Sequence, residues 1–391
     1  MNKRILNNDI QEFINQHVND DPTKLILKGS PFQEMTIQEI VEQIISKNKC
    51  KKKLPTWFIT PYIYYPNKLN IEQTSSEITA KYKADLISGK SIIDLTGGFG
   101  VDCFAFADKF NEVTHCEINL NLSKIVAHNY LQLGVKNIKT IADDGLKYLG
   151  KNKKKYDWIY ADPSRRNEAK EKVFLLEECL PNIPLNLDLL FQFTDNILLK
   201  LSPLLDISAS INELNFIKDI HIIAVKNEVK ELLFTLYKGY QKTISIKTVN
   251  IKDGSIERFD ALLNSNSKAT FSLPKKYLYE PNTAILKAGL FNEVSQQLKI
   301  DKLHNYSHLY TSNDLIEFPG RRFIVDHILS YDKKQIKKVL PTLKANITKR
   351  NFPETVKQIR KRTGIKEGGE IYLFFTTNIE NKHLVLVCKK V

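Results

Sequence analysis

An α/β fold, in which helices cover both faces of a mostly parallel sheet, is the fold class that the sequence predicts. Apolar segments of strand length alternate with helical segments between residues 91 and 249. The strand segments are almost continuously apolar, which is typical of parallel strands buried on both faces. The first of them leads into a glycine-rich turn, Gly97–Gly100, that opens a helix. Glycine permits such a tight turn and lets a ligand approach the backbone closely.

The elements of this domain follow from the same patterns. Strands are predicted at Ser91–Leu95, Val113–Glu117, Ile138–Ile141, Trp158–Ala161, Ile197–Lys200, Ile220–Val225 and Thr243–Val249. Helices are predicted at Ser75–Ser88, Asp102–Phe110, Leu120–Leu133, Leu189–Asn196 and Glu228–Tyr237. Prolines disfavour helix in the residue before them, so Thr56–Tyr65 is predicted to be extended. The lysine-rich segment Lys147–Lys155 is predicted to be a polar connection.

The length indicates several domains, because 391 residues at roughly 100–200 per domain allow two to four. Residues 1–75 are predicted to be mostly helical, and the α/β domain is assigned to residues 76–255. A strand–helix–strand piece, with its helix at Thr283–Leu298, lies within residues 270–318. Residues 319–391 are predicted to form a compact βαβαββ unit. Its strands are predicted at Arg322–Leu329, Lys344–Thr348, Glu370–Thr376 and His383–Lys389, and its helices at Lys333–Leu340 and Pro353–Thr363.

The composition excludes several classes of protein. Hydrophobic residues make up 42% of the chain, which excludes global disorder. No run of about 18 apolar residues is present, so no membrane span is expected, and the N-terminus lacks the apolar region of a secretory signal. The five cysteines form no Cys-x-x-Cys pair, which argues against a metal site and favours a reducing, cytoplasmic setting. The net charge of +14 allows a polyanionic partner, and the sequence indicates no oligomeric state.

Polar residues follow four consecutive predicted strands. Asp94 and the glycine turn end the first strand, Glu117 ends the second, Asp143-Asp144 follows the third, and Asp162 follows the fourth. Open α/β sheets bind ligands outside the carboxyl ends of their strands. The turn lacks the Lys-Ser/Thr of a phosphate-binding loop, which disfavours a nucleoside triphosphatase. Each acid taken alone also suits an ordinary role as a helix-start acid, an N-cap or a turn former.

These motifs resemble those of class I S-adenosylmethionine-dependent methyltransferases. More closely, the chain resembles bacterial methyltransferases that carry a small ferredoxin-like insert and a C-terminal THUMP-like domain. Five segments carry this closer resemblance: Glu72–Ala80, Gly100-Val101-Asp102, Asp162–Arg166, Asn351-Phe352-Pro353 and Gly364–Gly369. The resemblance covers most of the chain from about Ile71 to Val391. It implies a Rossmann-like doubly wound sheet for residues 76–255, a ferredoxin-like α+β domain for residues 270–318 and a THUMP-like α+β domain for residues 319–391.

The resemblance also implies a cofactor, S-adenosylmethionine, and a set of site residues. The implied cofactor-binding residues are Gln73, Ser76, Asp94, Thr96, Gly97, Gly98, Phe99, Gly100, Glu117, Asp143 and Asp144. The glycines would face the methionine part with Asp94 near its amino group, Glu117 would hold the ribose, and Asp143 or Asp144 would meet the adenine amine. Gln73 to Ser76 would close over the cofactor. The implied catalytic residues, which line the methyl-transfer pocket, are Asp162, Pro163 and Ser164.

The Asp-Pro motif departs from one pattern of this class. Methyltransferases of exocyclic base amines often carry Asp-Pro-Pro-Tyr, in which the aromatic ring stacks on a flipped base. Here Ser164 and Arg165 stand in the last two places. The turn beginning at Asp94 is also similar to that of the 16S ribosomal RNA guanine-N2 methyltransferase, so methylation of a base amine stays open. Arg165 and Arg166 are predicted to clamp a substrate phosphate, or else to form salt bridges with nearby acids.

A group of basic residues near the C-terminus indicates a partner surface. Lysine and arginine cluster at Lys344, Lys349-Arg350, Lys357, Arg360-Lys361-Arg362 and Lys366. Beside a THUMP-like unit, such a cluster suggests contact with RNA through phosphates, and Arg350, Arg360 and Arg362 are the predicted substrate-binding residues. The alternative is an ordinary lysine-rich surface.

The leading hypothesis is a methyltransferase that acts on an RNA base, in tRNA or rRNA. A non-catalytic module that binds cofactor or RNA is an alternative, and so is a methyltransferase of a protein or small molecule. Methyl transfer requires no metal and no nucleophile triad, and the sequence shows neither. His115 and Cys116, the reactive residue types nearest to the motifs, are predicted to be structural.

Overall fold

A computed structural model describes residues 1–165 and 175–391, which divide into two compact units. The first unit comprises Met1–Lys218 and Leu233–Gln241, and the second comprises Asp219–Leu232 and Lys242–Val391. This division falls within residues 76–255, so the assignment of that range to a single domain stays a prediction.

The N-terminal region of the first unit is helical, as predicted. After a 3-10 turn at Lys3–Leu6 come α1 (Asn8–Gln16), α2 (Pro22–Lys28), α3 (Ile37–Lys53), α4 (Pro55–Ile59) and α5 (Lys68–Gln73). The helices bury a shared apolar core that includes Ile14, Leu25 and Ile40. The prediction of extended structure is wrong for Pro55–Ile59. Proline at the first position of a helix loses no hydrogen bond, and its fixed φ suits a helix start.

The predicted alternation of strands and helices is confirmed in the first unit, except that the helix predicted at Leu189–Asn196 lies at Ile183–Leu190. The elements are α6 (Glu77–Leu86), β1 (Gly89–Asp94), α7 (Val101–Phe106), β2 (Phe110–Cys116), α8 (Leu120–Gln132), β3 (Ile138–Ile141), α9 (Gly145–Asn152), β4 (Trp158–Ala161), α10 (Ile183–Leu190), β5 (Asn196–Leu201) and α11 (Ile207–Glu213). Strands β3-β2-β1-β4-β5 are neighbours in that order and pair in parallel. The order reverses between β1 and β4, the switch point where such sheets bind ligands. Helix α9 replaces the predicted polar connection, because Asp144 caps its first turn.

The division between the two units falls after Lys218, after Leu232 and after Gln241. The elements are β6 (Ile217–Val225), β7 (Glu228–Tyr237), β8 (Ser245–Lys252) and β9 (Ser255–Leu262). The predicted helix at Glu228–Tyr237 is therefore wrong. Lys226 and Asn227 have φ of 51° and 63°, as in a two-residue hairpin turn, and β7 returns along β6. Strand β8 pairs in parallel with β6 and antiparallel with β9.

A second sheet lies in the second unit. Its elements are β10 (Tyr277–Pro281), α12 (Thr283–Ala288), α13 (Phe291–Leu298), β11 (Asp301–Lys302), β12 (Tyr310–Ser312), β13 (Gly320–Ser330), α14 (Lys333–Val339), β14 (Asn346–Arg350), α15 (Val356–Thr363), β15 (Ile371–Thr377) and β16 (His383–Lys390). The strand order is β11-β12-β10-β13-β16-β15-β14. The predicted βαβαββ pattern is present, with α14 and α15 packed on the sheet through Ile336 and Ile359. The single helix predicted at Thr283–Leu298 is two helices, separated at Gly289, whose φ is 72°.

Within residues 1–165 and 175–391, no helix combines the length and the apolar character needed to cross a membrane.

Candidate active site

The turn after β1 has no room for side chains at two of its glycines. The Gly97 N–H donates to the Cys116 carbonyl (2.7 Å), and the Gly100 N–H donates to the Gly97 carbonyl (2.9 Å). A Cβ on Gly97 would lie 2.3 Å from Nε2 of His115, and one on Gly100 would lie 2.2 Å from the Tyr130 hydroxyl. Gly100 also has φ of 82°, which non-glycine residues rarely adopt. Burial lowers the pKa of His115 to about 4, so a neutral imidazole supports the turn from β2.

Glu117 lies directly against this turn. Its Oε2 accepts a hydrogen bond from the Gly98 N–H (3.0 Å), and its Oε1 accepts one from the Asn119 N–H (2.7 Å). The side chain is only partly buried, and that burial raises the pKa of Glu117. A carboxylate offers about four lone-pair positions, so two backbone donors leave positions for further donors. The contact with Gly98 brings two predicted residues, 19 positions apart in sequence, into one site.

Asp94 is buried beneath the turn, with 2% of its surface exposed. Its Oδ1 accepts from the backbone N–H of Thr96 (2.8 Å) and from the Thr96 hydroxyl (3.1 Å), and the Cys103 thiol lies 3.4 Å from Oδ2. Burial raises the pKa of Asp94 to about 7, against the opposing effect of the Thr96 N–H. The carboxyl of Asp94 therefore changes its charge near neutral pH.

Asp143 and Asp144 follow β3 and have different roles. Asp144 caps α9, because its Oδ1 accepts from the Lys147 N–H (2.9 Å). Asp143 accepts from the Asp144 N–H (2.8 Å) and pairs with Lys151 (3.1 Å), which lowers the pKa of Asp143. Gly145 begins α9, and a Cβ there would lie 2.4 Å from the Leu95 carbonyl oxygen. This close approach places the start of α9 against the glycine turn, and sequence analysis missed Gly145.

Asp162 lies at the end of β4, beside the end of β1. Its backbone N–H donates to the Thr96 hydroxyl (2.7 Å), so Thr96 links Asp94 and Asp162. The Asp162 carboxylate forms an ion pair with Lys200 of β5. Burial raises the pKa of Asp162, and the ammonium of Lys200 opposes that shift.

The rest of the Asp-Pro motif has a mixed environment. Pro163 is buried, whereas Ser164 is exposed and exchanges backbone hydrogen bonds with Leu180 (2.7 and 3.0 Å). Arg165 is half-buried. Arg166 lies outside the described residues, so its predicted role is not addressed by the structure.

A second ion pair lies behind the site, and sequence analysis missed it. The Lys83 ammonium is fully buried and lies 3.1 Å from Asp102, whose carboxylate also accepts from Ser75 (2.8 Å) and Tyr160 (2.9 Å). Burial would raise the pKa of Asp102, but the cations of Lys83 and Lys200 lower it.

The segment predicted to close over the cofactor, Gln73 to Ser76, contacts this ion pair through Ser75. Ser75 is the residue that bonds Asp102. Ser76 caps α6 by accepting from the Thr79 N–H (3.2 Å), and Gln73 is the exposed last residue of α5.

One solved structure resembles the chain over its whole length. A crystal structure from Porphyromonas gingivalis W83, described as a candidate methyltransferase, is 31% identical and has a TM-score of 0.88 over 100% of this chain and 99% of that one. Residues 320–390 match the THUMP domain-like family, and residues 277–319 match a ferredoxin-like domain family. The chain belongs to the bacterial class I methyltransferase family with a ferredoxin-like and a THUMP-like domain. This confirms the family and the fold class that the sequence predicts.

The match to a second, more distant protein covers less of the chain. An uncharacterised RNA methyltransferase of Mycoplasma mobile is 30% identical over 92 residues. That match spans 24% of this chain and 25% of the relative, so the chain covers only a quarter of its length.

The three predicted substrate-binding arginines of the THUMP-like domain make contacts within the second unit. Arg350 pairs with the buried carboxylate of Glu280 (2.9 Å), which also binds Arg321. Arg360 donates to the Ile365 carbonyl (3.1 Å), and Arg362 pairs with Glu354 (2.8 Å).

Most exposed cations of this domain are lysines, although Arg362 is exposed as well. Helices α14 and α15 contact each other, and their outer sides carry six exposed lysines, which we call the basic face: Lys333, Lys334, Lys337, Lys338, Lys357 and Lys361. Of these six, sequence analysis placed only Lys357 and Lys361 in the partner surface. The described residues contain no group of His, Cys, Asp and Glu arranged to hold a metal ion.

Proposed function

We propose that the protein transfers a methyl group from S-adenosylmethionine to RNA, with a tRNA or rRNA base as the acceptor. One observation carries the proposal. The glycine turn, Glu117, Asp143 and Asp162 follow β1, β2, β3 and β4, and parallel pairing puts the carboxyl ends of these strands at one sheet edge. The contact between Gly98 and Glu117 shows that residues at this edge meet.

The residues present fit the cofactor. Gly97 and Gly100 pack against His115 and Tyr130 too closely for a Cβ, whereas a Cβ at Gly98 would meet only the Thr96 carbonyl oxygen, at 3.7 Å, so the backbone at Gly98 is open to the methionine part. Glu117 keeps lone pairs for ribose hydroxyls, and Asp143 has the partly exposed carboxylate that an adenine amine requires. Asp94 is placed to balance the cofactor's ammonium. Phe99 is buried, with its ring 6.2 Å from that of Trp57, so it packs the turn instead of lining an open surface.

Bound S-adenosylmethionine supplies a methyl group already activated for transfer. The chain must hold the acceptor in line with that methyl group, and orientation alone lowers such barriers by several kcal/mol. Asp162 is placed to accept a hydrogen bond from the acceptor, next to the buried Pro163. We therefore assign the catalytic role to Asp162, and Pro163 and Ser164 shape the pocket.

The choice of RNA as substrate rests on charge and on the relatives. The net charge of +14 and the basic face suit a polyanion whose phosphates release counterions on binding. The family match to a THUMP-like domain and the described activity of the Mycoplasma mobile protein point the same way. All five cysteines are free and buried, which suits a cytoplasmic location.

Cofactor binding is tested by calorimetry on wild type, Gly98→Arg and the control Gly134→Arg. Both glycines have positive φ, and a Cβ at Gly134 meets open space, so both variants carry similar backbone strain. We expect wild type and Gly134→Arg to bind S-adenosylmethionine and Gly98→Arg to lose binding. Absence of binding by pure wild-type protein would refute the cofactor.

The substrate is tested with the tritiated methyl donor and fractionated cellular RNA and protein. We expect label in an RNA fraction, and its disappearance in Asp162→Ala. Binding of cofactor without label in any fraction would support the non-catalytic module instead. Label in protein alone would support a methyltransferase that acts on proteins.

A further inference from the structure

Lys200 occupies an unusual place in β5. Ile197, Leu198 and Leu199 before it and Leu201 after it are buried, as expected in a central parallel strand. The Lys200 side chain is itself only 12% exposed, and its ammonium pairs with the Asp162 carboxylate, which is 31% exposed. Burying an ion pair usually costs as much free energy as it returns, so a pair of hydrophobic residues would stabilise this position at least as well. The pair is therefore a candidate for a role in function.

The Lys83–Asp102 and Lys200–Asp162 ion pairs form one electrostatic group. Asp102 accepts from Tyr160, which is two residues before Asp162 in β4. The charges of Lys83 and Asp102 act on Asp162 together with that of Lys200. The group therefore contains two positive and two negative charges, contributed by α6, α7, β5 and the end of β4. Asp162 is the most exposed of the four, so it is the member that faces outward.

We propose that Lys200 is a positioning residue for methyl transfer, whose ammonium keeps the Asp162 carboxylate ionised and turned toward the methyl acceptor. The inference rests on the proposed function and deepens it. Burial favours the neutral acid at Asp162, and a neutral acid has lost part of its capacity to accept hydrogen bonds. A methylated N–H or O–H acceptor carries one proton too many. Asp162 takes that proton and passes it to water, and Lys200 keeps Asp162 ready to do so.

Asp94 can contribute a second acidic limb to the pH profile. Burial raises the pKa of Asp94 to about 7, so profiles of kcat are measured with saturating S-adenosylmethionine, whose ammonium would hold Asp94 ionised. Asp102 stays ionised, because the neighbouring cations hold its pKa low. Cys179 stays neutral between pH 5 and pH 9, because burial raises the pKa of its thiol to about 11. With the cofactor saturating, an acidic limb in kcat belongs to Asp162.

The first test compares pH profiles of methyl transfer for wild type, Lys200→Met and Lys200→Arg. We expect Lys200→Met to move the acidic limb upward by about one pH unit or more and to lower kcat at neutral pH at least about tenfold. The KM for RNA should change little, and Lys200→Arg should recover much of kcat. The control is Lys154→Met, which breaks a Lys–Glu pair with Glu112 on the surface of the same unit (2.6 Å).

The second test needs no turnover. Sinefungin carries an ammonium in place of the reactive methyl, whereas S-adenosylhomocysteine is neutral there. Calorimetry gives the ratio of their affinities in each variant. At a pH above the acidic limb of Lys200→Met, its Asp162 carboxylate is ionised without a compensating cation and should favour sinefungin about tenfold more than in wild type, whereas Asp162→Asn should shift the ratio the other way. Lys154→Met should leave it unchanged.

If the Lys200–Asp162 pair only stabilises the fold, the two tests give a different result. Loss of thermal stability in Lys200→Met, with the acidic limb and the affinity ratio of wild type, would overturn the inference and leave the proposed function standing. If Lys200→Met does not fold, an affinity ratio in Asp162→Asn equal to that of wild type overturns it equally. Failure of wild type to bind either analogue would overturn the proposed function and the inference together.

Discussion

Charged residues are arranged in opposite ways in the candidate active site and on the basic face. In the site, Lys83, Asp102, Asp162 and Lys200 are all largely shielded from solvent and alternate in sign. On the basic face, the six lysines of α14 and α15 are exposed, and within the described residues none of them forms an ion pair. These four charges of the site are matched locally, whereas the basic face leaves charges of a single sign unmatched.

The difference reflects the dielectric environment. A buried charge without a partner costs several kcal/mol, so each buried cation of the site needs a specific carboxylate at contact distance. Exposed like charges are screened by water and salt over about 8–10 Å, so they cost little and need no fixed geometry. Unmatched surface cations keep their attraction for a distant polyanion. The site therefore depends on exact partners, and the basic face depends on the number of its charges.

Lys→Met substitution in the two regions should give the largest contrast. Lys83→Met leaves the Asp102 carboxylate buried beside Ser75 and Tyr160 without its cation, and we expect the free energy of unfolding to fall by about 3–5 kcal/mol. Lys337→Met on the basic face should change it by less than about 0.5 kcal/mol. Chemical denaturation of both variants measures the difference. If both variants lose equally little free energy of unfolding, the Lys83–Asp102 pair contributes no more to stability than an exposed charge does.

Much of the first unit could be predicted because burial leaves a strong pattern. Strands buried on both faces are apolar throughout, so Trp158–Ala161, with all four residues buried, was predicted with the bounds that the structure gives. The polar residues at their ends then had to share one sheet edge. Glu228–Tyr237 was mistaken for a helix, because the turn that makes it a strand uses Lys226 and Asn227 at positive φ, a choice with little sequence signal.

The ion pairs could not be predicted, because they depend on tertiary contacts. Lys200 follows three apolar strand residues, and that unusual position was its one signal in a chain rich in lysine. The contacts of the arginines in the THUMP-like domain could not be predicted for the same reason. Arg350 and Arg360 are long enough to reach Glu280 and the Ile365 carbonyl, so their charge is used internally. Sequence spacing indicates which residues share a face but not what they contact.

Charge reversal tests whether the affinity for RNA depends on the number of charges on the basic face. We expect Lys337, Lys338, Lys357 and Lys361 changed together to Glu to lower RNA affinity about a hundredfold at moderate salt and to flatten its salt dependence. The control reverses four exposed lysines of the first unit, Lys51, Lys52, Lys139 and Lys155, and so changes the net charge equally. Binding measured by fluorescence anisotropy over a salt series compares the two. An equal loss in both would show that net charge alone matters and that the face is not a site.

Asp94 provides the finest test, because it is a buried carboxyl that forms no ion pair with a basic side chain of the described residues. In the complex, the ammonium of the cofactor would be the cation that pairs with Asp94. Burial raises the pKa of Asp94 to about 7, so the unliganded protein holds a proton there at lower pH, and binding of an ammonium must release it.

The sign of the pH dependence follows from this release. With the pKa raised above its ordinary value, the Asp94 proton stabilises the unliganded fold at low pH, and that contribution is lost as pH rises through about 7. Affinity for S-adenosylhomocysteine, which keeps the ammonium, should therefore rise with pH, roughly eightfold between pH 6 and 7.5 if proton release is complete. Above that range the ligand's own amino group starts to lose its proton. Calorimetry in buffers of different ionisation enthalpy counts the released proton, and Asp94→Asn should show neither the release nor the slope. If the affinity of wild type for S-adenosylhomocysteine does not change with pH, the ammonium binds away from Asp94. The buried carboxyl of Asp94 would then have no cationic partner even in the complex.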